Sequence, residues 1–230
     1  MSQKYEIITP YCVGLTAGEA MPATELFDEV KAKIMTIASP KIKQIADVVC
    51  DSFRSCKMRR IEEKYFKPRG LTLEEYLQVQ RHLNENVVLR LERAIESSTF
   101  SMVCLLVGVD ESGAHIFEIS DPGHSECYRR IGFHALGSGL PHAISTFISH
   151  NFTPSMNVKK ALYITYEAKK NAEKAPGVGT KTDIGIIDEN GIKILSSKEI
   201  NILEDIYQKR MEIVSQSIPV IEEMINELPI

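Results

Sequence analysis

The chain has 230 residues, of which 43% are hydrophobic and 25% charged, with a formal net charge of −4. That size and balance predict a soluble globular protein with a sizeable core, one domain over 1–230 rather than two. No lopsided basic run points to nucleic acid, and neither a membrane-length apolar run nor a secretion signal is present, so the expected compartment is the cytoplasm.

In chain order, residues 4–18 mix β-branched and aromatic residues around a proline and end in Ala17-Gly18, as a strand pair or a bent strand does. Residues 22–38 place Leu26, Phe27, Val30 and Ile34 at helical spacing. Residues 39–66 follow as a second helix, with Ser39 as its N-cap, Pro40 at its first position and a stripe through Ile42, Ile45, Val49, Phe53, Met58 and Ile61. Thr72 and Glu75 form a capping box that opens a third long helix, running to about Ser97.

Residues 100–138 read as an antiparallel meander. Two apolar or alternating runs join at Asp110-Glu111-Ser112-Gly113, turn at Asp121-Pro122-Gly123 and continue in a further strand that reaches Ser138. A helix from Pro141 to about Ile148, a second capped by Asn157, and a hairpin over 182–195 come next. The last amphipathic stretch, from Ser197 to about Leu228, is expected to break or kink at Pro219. Blocks of helices between antiparallel strands predict an α+β layered fold.

Several chemical motifs can be weighed on residues alone. Cys12, Cys50, Cys56, Cys104 and Cys127 are odd in number and contain no CxxC pair, which predicts reduced thiols, Cys104 among them a buried hydrophobe. The histidines lack metal-ligand spacing and nearby acid partners, so neither a metal nor another cofactor is assigned. Residues 176–182, PGVGTKT, resemble a phosphate loop but lead into a strand instead of a helix N-terminus. His142 follows Ser138 by four residues, yet reads as a helix-surface histidine. Ser138 lies between Gly137 and Gly139, on backbone free to bend sharply, which suits either a turn or a reaction centre.

The element order, with TPYCVGLTAG, FSMVCLLVGVDESGAHIFEISDPG, ALGSGLP and GVGTKTDIGII, resembles the proteasome β-subunit family of N-terminal-nucleophile hydrolases from Lys4 to about Leu195. Residues 59–76 look more like the bacterial and archaeal proteasome-like branch, and 39–71 read as a family-specific helical insertion, with 197–230 as a C-terminal extension. The resemblance implies a four-layer αββα sandwich of two antiparallel sheets, here lacking the first two strands. It also implies a threonine-peptidase chemistry in which an N-terminal residue supplies hydroxyl and amine, a lysine depresses the amine's pKa, and a serine loop orients groups.

Lys4 falls on the family's lysine and Ser138, with Gly137 and Gly139, on its glycine-flanked serine. Ala175 and Val178 fall where the family carries an aspartate and a serine. The resemblance thus implies a homo-oligomeric proteasome-like subunit related to peptidases of peptide or unfolded-protein substrates, truncated or inactive in this form. The alternative is a non-catalytic structural subunit that assembles through the same fold.

Overall fold

A computed structural model describes residues 5–228 of the chain. They form two compact units: 5–137 with 187–191, and 138–186 with 192–228. The resulting protein is mixed α/β, with two antiparallel sheets and a long C-terminal helix.

The first unit is built on a five-stranded meander in the order β1 (Tyr5–Thr9), β2 (Cys12–Gly18), β3 (Met102–Asp110), β4 (Gly113–Ser120) and β5 (His124–Cys127). Every neighbouring pair is antiparallel. Strand alternation sends Cys12, Met102, Cys104, Leu106, Phe117 and Ile119 to one face. There they meet Leu26, Phe27, Val30 and Ile34 of α1 (Ala20–Ile34) and Ile42, Ile45, Val49 and Phe53 of α2 (Ile42–Ile61) in one core. Each large side chain so buried contributes about 1.5–3 kcal/mol by leaving water. The helices come close because two strand residues lack a side chain: a Cβ on Gly14 would meet the Phe27 ring at 2.3 Å, and one on Gly108 would meet Ile42 Cδ1 at 2.5 Å.

Two helix starts differ in kind. Ser39 does not cap α2, because its backbone is left-handed (φ 49°) and the helix begins three residues later. The Ile42 amide instead donates to Asp110 Oδ2 at 3.0 Å, a carboxylate supplied by the β3–β4 turn. Thr72 does cap α3 (Leu73–Val79), its hydroxyl accepting from the Glu75 amide at 3.1 Å while the Glu75 carboxylate accepts from the Thr72 amide at 2.7 Å.

The third helix is shorter than its periodicity predicts. It gives way to a 3₁₀ turn at Gln80–His82, and Leu83 is extended. Asn84 then caps α4 (Glu85–Glu96), its side-chain oxygen accepting from the Asn86 amide at 3.0 Å. This local side-chain bond competes with continued helix and wins. Ile61, Phe66, Tyr76 and Leu91 close a smaller apolar cluster beside it.

The meander also stops early. β5 ends at Cys127, and the chain turns back at Gly132 (φ 85°), whose amide donates to the Tyr128 carbonyl at 2.8 Å. The Tyr128 ring stacks on His134 at 3.8 Å. Residues 128–137 therefore carry no strand.

The second unit holds α5 (Leu140–Ser149), α6 (Val158–Ala172) and α7 (Ser197–Asn226), together with the outer ends of the hairpin of β6 (Gly185–Asp188) and β7 (Gly191–Ile194). Asn171 Nδ2 donates to Thr146 Oγ1 at 2.9 Å, tying α6 to α5. Tyr166, Ile184, Leu195, Leu203 and Tyr207 form the cluster under α7. α7 opens on a Ser196–Glu199 capping box and runs through Pro219 without ending. No helix among the described residues is long and apolar enough to cross a membrane.

Candidate functional site

Ser138 lies in an exposed turn at the start of α5, with Gly137 on one side at φ 86°. Gly139 has an ordinary backbone (φ −82°, ψ −1°), so any residue suits its conformation. Its constraint is space. A Cβ there would lie 2.7 Å from Ala172 Cβ and 3.1 Å from the Ala172 carbonyl, at the end of α6.

The segment after α6 folds back on this turn. The Ala175 amide donates to the Ala172 carbonyl at 3.0 Å and the Val178 amide to the Ala175 carbonyl at 3.3 Å. Lys169 reaches from α6 to the Gly179 carbonyl at 2.8 Å and to Glu173 at 2.7 Å, pinning the far side of the loop. Ser138 Oγ donates to the Pro176 carbonyl at 3.2 Å.

The structure thus brings Ser138 and Gly139 against the 175–178 turn, where Ala175 is buried and Val178 half-buried. Neither side chain can accept or donate a proton. A serine acts as a nucleophile when a base within hydrogen-bond reach takes its proton. Here the proton is directed to a backbone carbonyl, which has no capacity to keep it. As it stands, the arrangement fastens a turn to a loop.

Lys4 lies outside the described residues. His142 is exposed on α5, as a surface histidine should be. Residues 176–182 lead to β6 with no helix following, so the glycines there form no phosphate cradle at a helix N-terminus.

Three histidines do have acid partners, contrary to the sequence reading. His115 Nε2 lies 3.1 Å from Asp110 Oδ1 and 2.9 Å from the Ser112 hydroxyl, His134 pairs with Glu118, and His150 Nε2 lies 3.1 Å from Glu167 Oε2. The Asp110–His115 pair is five residues apart, and hairpin geometry at the β3–β4 turn could have signalled it. In that cluster one imidazole nitrogen faces both serine and aspartate, so His115 cannot relay a proton between them through opposite ring nitrogens. Burial alone would raise the Asp110 carboxyl. Bonds from the Ser112 hydroxyl, the Ile42 and Ser112 amides and His115 outweigh it and hold the group well below the usual carboxylate range.

A second polar network joins α6 to α7. Buried Glu167 pairs with Arg210, Tyr166 donates to Glu204, and Lys170 lies 3.2 Å from Glu173 and 3.4 Å from Glu204. Burial works against the Lys170 charge, but these two carboxylates more than restore it. Every ion in this network has a counter-ion, the arrangement expected of a helix interface.

No protein-family model matches the chain. Over 104 residues, 44% of its length, it is 33% identical to the proteasome subunit beta 1 of Korarchaeum cryptofilum. This chain is similar to a proteasome β subunit. The matched segment covers 48% of that subunit, so the chain spans about half the length of the curated relative it matches. The similarity supports a proteasome-like family for this protein, and mixed α/β architecture with two antiparallel sheets is compatible with such a fold.

Proposed function

We propose that this protein is a proteasome-like, peptidase-related subunit of the bacterial and archaeal branch, with the four-layer αββα architecture that its motifs imply, and that in this form it does not itself hydrolyse peptide bonds. The observation that carries the reading is the bond from Ser138 Oγ to the Pro176 carbonyl, made over a turn whose family acid and hydroxyl positions are Ala175 and Val178. On this reading the turn descends from the family's serine loop and carries no group to move a proton. Lys4 and Ser138 are then vestigial positions of a threonine-peptidase site, and the subunit works in the cytoplasm as part of a homo-oligomer.

A second reading, a non-catalytic structural subunit, is favoured by the same two substitutions. It is favoured also by a helix whose second half displays apolar residues to solvent. Both readings place any peptide or unfolded-protein chemistry with subunits other than this chain.

The test is turnover of fluorogenic peptides by the 230-residue protein. The expected result is no hydrolysis above buffer. Turnover lost in a Ser138→Ala variant of unchanged stability would overturn the inactive reading.

A further inference from the structure

From Gln208 to Leu228 every residue of the C-terminal segment is exposed. The sequence there is not that of a solvated helix. Met211, Val214, Ile218, Ile221, Ile225 and Leu228 recur at alternating spacings of three and four, the a and d positions of a heptad repeat. These six are 40%, 45%, 47%, 51%, 56% and 54% exposed, all on one stripe. Pro219 falls on the opposite side, at a b position, where its missing amide does not touch the seam.

The stripe continues a face already in use. Tyr207 and Leu203, one and two turns earlier, are buried in the cluster against α6. Beyond them the same face of α7 runs on with no element over it among the described residues. We propose that the second half of α7 pairs with α7 of a second copy of this chain, antiparallel, with Met211 opposite Leu228, Val214 opposite Ile225 and Ile218 opposite Ile221.

Area, charge and geometry argue for that occupant. Burying the exposed parts of six seam side chains on both copies removes about 1,000 Å² from water, the size at which specific interfaces begin. Between residues 211 and 228 the charged residues are Glu212, Glu222, Glu223 and Glu227, with no lysine or arginine. Parallel pairing would align these acidic stretches. Antiparallel pairing sets Glu222 and Glu223 level with the partner's Ser217 and the partner's Gln216, and opposes the two helix dipoles. The acidic face also disfavours an anionic membrane surface, which selects amphipathic helices rich in lysine and arginine. The pairing stands independently of the proteasome-like reading, since it uses only α7.

Light scattering after size exclusion, across micromolar concentrations, measures it directly. The full chain is expected to form dimers, and Ile218→Glu with Ile225→Glu to raise the dissociation constant at least about 100-fold. Helix content by circular dichroism should stay unchanged, because both positions are exposed.

Orientation follows from a spin label at Glu227→Cys in a Cys127→Ser background. Antiparallel pairing separates the two labels by more than about 20 Å along the helices, at 1.5 Å per residue. A monomer at all concentrations, a dimer indifferent to the double variant, side-by-side labels, or a monomer that binds anionic vesicles would each overturn the proposal. Peptide turnover is a separate measurement, so failure of either reading leaves the other to be judged on its own.

Discussion

Gly139 lies against Ala172 so closely that a methyl group at residue 139 would stand 2.7 Å from the Ala172 Cβ. This contact, made by backbone and a β-carbon with no freedom to swing away, seats the Ser138 turn on the end of α6. Gly139→Ala should therefore destabilise the protein by about 1–3 kcal/mol through overpacking. Ser138→Ala removes one exposed hydrogen bond and should cost about 1 kcal/mol or less. Urea denaturation of both variants checks the order, and a Ser138→Ala loss larger than that of Gly139→Ala would contradict it.

Asp110 joins the β3–β4 turn to the first amide of α2. Its carboxyl is held below the ordinary value of about 3.9 in the folded protein, so its stabilising contribution is complete above pH 4. That contribution is lost as pH falls from about 4 toward the folded value. Asp110→Asn should lower stability at pH 7 by about 1–2 kcal/mol, by weakening bonds to a charged acceptor. It should also flatten the acid limb, so that the gap between wild type and variant in urea midpoints narrows progressively as pH falls below about 4.

Thiol labelling should separate one cysteine from four. Cys127 is exposed, whereas Cys12, Cys50, Cys56 and Cys104 are buried. Burial pushes the Cys12 thiol up to about 12 and raises Cys104 as well. Iodoacetamide at pH 8 should alkylate Cys127 alone in native protein, with the other four reacting after unfolding, as read by peptide mass spectrometry.

The sequence carries its information unevenly. The stripes of α1 and α2, the Thr72–Glu75 capping box, the Asn157 cap and the alternating strands are local patterns, and each reads directly from residue spacing. The start of α2 does not, because its cap is Asp110, 68 residues away, and Ser39 only looks like a cap until the chain is folded. The break between α3 and α4 was written in Asn84, but apolar periodicity runs through it and hides it. At the site, the two glycines around Ser138 are visible in sequence, whereas their different reasons are not: Gly137 serves a positive φ, Gly139 a close approach. Lys169, which pins the 175–179 loop, carries no local signal, since only folding places its ammonium on the Gly179 carbonyl.

On the proposed reading, the Ser138 turn is a hydrolase serine loop with no group left to move a proton. Intact mass spectrometry after incubation with a covalent inhibitor of N-terminal threonine peptidases tests it most directly. The expected result is an unmodified mass, with Ser138 still donating to Pro176 and no activated nucleophile to trap. One inhibitor bound per chain, mapped to its amino end or to Ser138, would contradict it.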